Sequence, residues 1–177
     1  MRRALVTARS SVKVRTRAVG PLARLAHDLE LEATGASGWV DEDGPAWRAE
    51  FTFPVAGVRV VGVWRRGAVD KGVLSARDVQ EIERRIRSEV FAGGELRVAG
   101  SGDLRLARLT VTASRGAETT SVALRMAPTD SDERSVEGRA RLSLAKLGCR
   151  EVRAPFGAFK VADEVEVEAR LTFAAPR

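Results

Sequence analysis

The sequence predicts a mainly β protein, a closed antiparallel β-barrel of about eight strands with one amphipathic α-helix at about 75–91. Three observations carry that reading. Apolar residues alternate with polar ones over most of the chain. Turn-forming clusters separate the alternating runs. A single stretch breaks into helical spacing. With 177 residues, 44% hydrophobic and 31% charged, the chain has the length and composition of one folded domain, 1–177, with no internal repeat or linker.

Taken in order, Val12, Val14 and Thr16 alternate with Lys13, Arg15 and Arg17 in a first half-buried strand. Leu29, Leu31 and Ala33 alternate with Asp28, Glu30 and Glu32 in a second. A third buries Trp47, Ala49, Phe51 and Phe53. Between the second and third, Asp41-Glu42-Asp43-Gly44-Pro45 has the chemistry of a turn. Val58 to Trp64 is more continuously apolar, after the break at Pro54 and Gly57. Ser75 and Asp78 form a capping box, and Val79, Ile82, Ile86 and Val90 follow at helical spacing until Gly93-Gly94. That stripe is expected to lie on an end or flank of the sheet.

Leu96 and Val98, Leu104 and Leu106, then Leu109, Val111 and Ala113 continue the pattern, with a parity change at Ala107-Arg108 that predicts a bulge or strand break. Val122, Leu124 and Met126 precede the turn at Pro128 to Asp132, and Val136, Ala140, Leu142 and Leu144 follow it. The last strand places Val165, Val167, Ala169, Leu171 and Phe173 inside and Glu164, Glu166, Glu168 and Arg170 outside. Because strand one is basic outward while strands two and last are acidic outward, strand one is expected to lie between them, the sheet closing on itself.

Charge and single residues narrow the function classes. The net charge is +6, from 30 bases and 24 acids. Residues 1–27 hold seven bases (Arg2, Arg3, Arg9, Lys13, Arg15, Arg17, Arg24) and no acid, so the remaining 150 residues hold 23 bases against 24 acids, a net of −1. With no aromatic platform in that segment, a solvated or structural face is the better account and no nucleic-acid partner is expected. One cysteine, Cys149, excludes an internal disulfide, and one histidine, His27, excludes a two-histidine metal or catalytic site. Cys149 reads as an inert thiol and Asp130-Ser131-Asp132-Glu133 as a turn, so neither a metal nor a cofactor is expected. No catalytic constellation emerges, and the protein is expected not to be an enzyme. No transmembrane segment occurs, and the apolar run Ala4-Leu5-Val6 behind Arg2-Arg3 is too short for a signal-peptide core. A cytoplasmic location is the expectation.

The inward-facing list contains many small residues (Ala33, Ala49, Ala113, Ala140, Ala169), which leave volume that either a ligand or bulky neighbours would fill. His27 shares the parity of Leu29 and Leu31 and is expected at the strand entrance, facing inward.

Ser11-Val12-Lys13-Val14, Gly20-Pro21-Leu22 and Leu25-Ala26-His27-Asp28-Leu29 resemble the opening of YceI-like proteins. Leu74-Ser75-Ala76 through Ile86 is similar to the helical insertion of a bacterial branch of that family, and Gly138, Leu142, Leu144, Leu147-Gly148, Gly157, Val161, Asp163, Val165 and Val167 to its closing strands. The resemblance implies a lipocalin-like barrel whose apolar tunnel holds an isoprenoid-like lipid, a polyprenyl phosphate or a quinone. It would place the chain among Leu29, Leu31, Phe51, Phe53, Val165 and Val167, with His27 near a polar group. It also implies a homodimer. The function expected is non-enzymatic binding, storage or transport of that lipid. The alternative is an interaction module whose filled barrel is a scaffold, with its function on the surface.

Overall fold

The computed structural model describes residues 1–21, 23, 26–91, 94–129, 132–153 and 160–176. Leu22, Arg24, Leu25, Gly93, Asp130, Ser131 and Gly157, used above, lie outside the described residues.

Fourteen strands and one α-helix are described. In chain order the strands are β1 (Arg2–Ala4), β2 (Ser11–Thr16), β3 (Ala18–Val19), β4 (Leu29–Ala33), β5 (Ser37–Asp43), β6 (Ala46–Pro54), β7 (Val58–Arg65) and β8 (Ala68–Asp70). After helix α1 (Ala76–Arg85) come β9 (Glu95–Gly102), β10 (Leu106–Ala113), β11 (Gly116–Ala127), β12 (Arg134–Ser143), β13 (Lys160–Val161) and β14 (Glu164–Phe173).

Twelve strands form one strongly curled antiparallel sheet in the order β1-β5-β6-β9-β10-β11-β12-β14-β2-β4-β7-β8, and β3 pairs with β13. This corrects the expected closed barrel of about eight strands. The sheet is an open half-barrel whose edges are β1 and β8, each three residues long. Short edges limit the unpaired backbone that closure would otherwise remove. A lone bridge, Leu5 to Phe173, draws β1's end toward β14 where a full ladder would be needed to close the wall.

The charge rows do set the neighbours they predict. β2 lies between β14 and β4, with Arg15 opposite Glu166 on one side and Glu30 on the other. Arg15 Nε reaches Glu30 Oε2 at 2.9 Å and its Nη2 reaches Glu168 Oε2 at 3.1 Å, while Arg17 Nη2 reaches Glu166 Oε1 at 3.0 Å. Glu30 is 2% exposed, covered by its arginine, whose guanidinium also stacks 3.9 Å over Trp64. The N-terminal basic row is thus consumed by the sheet.

Two local expectations shift. Asp41, Glu42 and Asp43 belong to β5, and only Gly44-Pro45 turns the chain, with Gly44 at φ +58°. Pairing with β6 and with the N-terminal β1 overrides their turn preference. The parity change comes earlier than Ala107: a tight turn at 103–105 precedes β10, so Leu106 faces outward and Ala107, Leu109 and Val111 face inward. Asp103 makes that turn by accepting the N–H groups of Arg105 and Leu106 at 2.7 and 2.9 Å, which hold its carboxyl below the ordinary value.

Helix α1 starts with the capping box at Ser75 and Asp78 and runs on through a π-helical turn, Ile86–Val90. It packs beside β7, where Glu83 Oε1 accepts the Val60 N–H at 3.0 Å. Its far end is held at the foot of the sheet by Arg115, which donates to the Val90 carbonyl at 3.1 Å.

Candidate functional site, an apolar cavity in the half-barrel

The inward parity of each strand collects on the concave face of the curl. There the apolar side chains surround a cavity of about 220 Å³. Along β11 its lining runs from Thr120 to Met126, about 20 Å at about 3.4 Å per residue. The small residues Ala33, Ala49, Ala140 and Ala169 stand among the larger Phe51, Phe53, Leu109 and Leu171, and this unevenness leaves the space. An apolar void of about 150 Å³ already stays dry and takes up small hydrocarbons. The foot is sealed by a buried cluster of Val111, Leu142, Leu147 and Val165.

Polar groups in the lining are few: Glu42, Thr120, Arg134 and the Trp47 indole, whose Nε1–H donates to the Asp103 carbonyl at 2.6 Å. Glu42 and Arg134 stand at the upper end of the groove. Glu42 Oε1 accepts from Arg134 Nη1 at 2.9 Å and Oε2 from Arg3 Nε at 3.0 Å. Arg3, 7% exposed, also donates to the carbonyls of Asp132 and Ala174 at 2.9 and 3.2 Å. The sequence alone does not reveal this cluster, because Glu42 has the chemistry of a turn residue and Arg3 reads as one of the bases of a solvated or structural face. The exposed Leu104 and Met126 complete the rim.

The residues singled out from the sequence divide into three groups. Phe51, Phe53 and Val167 line the cavity. Leu29, Leu31 and Val165 are not in its lining; Leu31 and Val165 are buried, Leu31 opposite Val14 and Val165 in the foot. His27 is exposed and sits outside, its Nδ1 3.2 Å from Arg65 Nη2, contrary to the expected inward orientation. Strand pairing with β2 begins only at Leu29, and Asp28 is held by accepting the Ala18 N–H at 2.9 Å, so the alternation does not extend to residue 27.

Reactive chemistry is sparse. Burial pushes the Cys149 thiol up to about 11, with Asp163 adding to the rise and Arg115 opposing it. Among the described residues no group of three histidine, cysteine, aspartate or glutamate side chains could hold a metal ion. No helix among them is long and apolar enough to cross a membrane.

A half-barrel of curled antiparallel sheet with one flanking helix and an apolar interior is the architecture to which this chain conforms. Its fold is similar to that of BcnA from Burkholderia cenocepacia, at a TM-score of 0.65 and 15% identity, over 95% of this chain and 98% of that one. It is also similar to a polyisoprenoid-binding domain from Saccharophagus degradans implicated in plant cell wall breakdown, at a TM-score of 0.68 and 12% identity, over 98% of both chains. Neither a protein-family model nor a curated protein matches the sequence.

Proposed function

We propose that this protein is a non-enzymatic carrier or sequestering protein for an isoprenoid-like lipid, a polyprenyl phosphate or a quinone, held in the half-barrel. The observation that carries this reading is the long interior cavity, apolar over nearly all its length and reaching a polar rim at one end. A filled core would have favoured a scaffold with a surface function; the unfilled interior favours a ligand. The fold shared with a polyisoprenoid-binding domain points the same way. In this reading the lipid chain lies against Phe51, Phe53 and Val167, above the foot that Val165 helps to seal. His27 makes no contact with it.

The test is native mass spectrometry of the purified protein, followed by denaturation and organic extraction, with farnesol and a short-chain quinone then titrated onto the stripped chain. A ligand at 100 times its dissociation constant adds about 2.7 kcal/mol of stability. For a chain of this size that raises the melting temperature by roughly 5–11 °C. A clean apo mass together with no thermal shift from either probe refutes the reading.

A further inference from the structure

The wall of the half-barrel is split between β11 and β12. β11 pairs with β10 up to Ala123 and with β12 only from Leu124 to Ala127, opposite Gly138 to Ser135. Below the Leu124–Gly138 pair both strands continue, each paired on its far side, with no ladder between them. At the foot the gap is strapped by Glu118, which accepts the Ser143 N–H at 2.6 Å and the Lys146 ammonium at 3.1 Å. From that strap to Leu124 the split is about 20 Å tall at about 3.4 Å per residue. Gly138 stands at the fork, where a Cβ would come within 2.9 Å of Val122 Cγ1, so the two strands are still close just below their last ladder pair.

A depression of about 510 Å³ lies on the outside of the split. Thr120, Ala140 and Val167 line both it and the interior cavity, so at this point the two spaces have only these side chains between them, one of which carries a hydroxyl. Among the described residues, β11 and β12 exchange no ladder hydrogen bonds along the gap, which leaves their facing backbone N–H and C=O groups, the Ser143 N–H apart, without a ladder partner there.

The charges around this opening differ from those at the upper rim. Arg139 and Arg141 flank it, 79% and 66% exposed, resting on Glu168 at 3.1 Å and on Glu164 and Glu166 at 3.5 and 3.7 Å. Ion pairs so exposed are weak and exchange readily, and guanidinium groups bind phosphate oxygens in bidentate fashion. Ser121 also lines the depression, and its cross-strand neighbour Arg108 makes no ion pair among the described residues. At the upper rim, by contrast, the cations Arg3 and Arg134 are committed to the Glu42 carboxylate, which is itself part of the cavity lining.

We propose that the split between β11 and β12 holds the anionic head group of the amphiphile whose apolar chain occupies the cavity, with Arg139 and Arg141 as its partners. This rests on the lipid-binding reading and selects, within it, a phosphorylated over a neutral ligand. Farnesyl phosphate and farnesol, titrated at low salt onto the stripped full-length chain, test it. The native chain binds the phosphate at least tenfold more tightly than the alcohol. The double variant Arg139→Ser/Arg141→Ser loses that preference about tenfold and keeps its affinity for farnesol. Arg48→Ser/Arg97→Ser, which removes the same charge from distant strands, keeps the preference.

Equal binding of the two probes by the native chain overturns the assignment and leaves the lipid reading standing. So does a preference that survives in the Arg139/Arg141 variant, or one that both double variants lose alike. If neither probe binds, the lipid reading falls and the head-group site falls with it.

Discussion

Glu30 is the most demanding test of the sheet order. Replacing it with Gln keeps the shape and removes the charge between Lys13 and Arg15, which approach its carboxylate at 3.6 and 2.9 Å. The Glu30 side chain is 2% exposed and that of Arg15 is 21% exposed, so water does little to compensate the loss. Breaking a buried pair by removing one partner costs about 3–5 kcal/mol. Arg15 keeps Glu168 at 3.1 Å and its place over Trp64, which reduces the expected loss to about 2–4 kcal/mol. For a chain of this length that lowers the melting temperature by about 4–16 °C. Urea denaturation gives the free energy directly, and an unchanged m-value shows that the unfolded state is the same. Glu166→Gln is the internal comparison. Its pair with Arg17 is between side chains 39% and 66% exposed, and such pairs contribute about 0–1 kcal/mol. If Glu30→Gln costs no more than Glu166→Gln, burial at the centre of the β14-β2-β4 ladder is not what makes this charge row stabilising, and the argument fails.

Three further outcomes are expected. Ala169→Trp places a large side chain in the cavity; it lowers stability by no more than about 1–3 kcal/mol and abolishes the thermal shift produced by farnesol. A retained shift in that variant would place the ligand outside the half-barrel. Asp163 accepts the Ser143 hydroxyl and the Ala145 N–H, each at 2.7 Å, and these bonds hold its carboxyl below the ordinary 3.8. Its contribution is therefore present above about pH 4 and is lost as the pH falls through the lowered value, so Asp163→Asn weakens the acid limb of a stability–pH curve. With its thiol pushed up to about 11, Cys149 reacts slowly with a disulfide reagent at pH 8 in the folded chain and much faster in urea. Equal rates in the two states would contradict that burial.

Much of the architecture is legible in the sequence because it is written locally. A period of two assigns each strand a face, so Phe51, Phe53, Val98, Val122, Val136, Val167 and Ala169 can be named as inward before any strand is placed. The Ser75–Asp78 capping box needs only four residues. Even one non-local fact, β2 between β14 and β4, can be read, because opposite charges recur in rows long enough to identify their neighbours. The limits appear where local preference competes with pairing. Asp41 to Asp43 carry turn residues, yet β6 and β1 hold them in a strand. His27 continues the alternation of β4 by parity, yet pairing stops at Leu29 and leaves it outside.

Whether a curled sheet closes is not a property of any one strand. It depends on how twelve strands accumulate twist, and here the curl ends at β1 and β8 with one bridge across to β14. The split beside β12 is hidden for the same reason. From Thr119 to Met126 the alternation is unbroken, while the strand's partner changes from β10 to β12 at Leu124. By itself the sequence determined, for most strand positions, which side chains face inward and that several of them are small, because side-chain direction and volume are local. Only the tertiary structure decided that the wall stays open, where its polar rim lies, and where its side is parted, because those depend on which backbone edges find a partner.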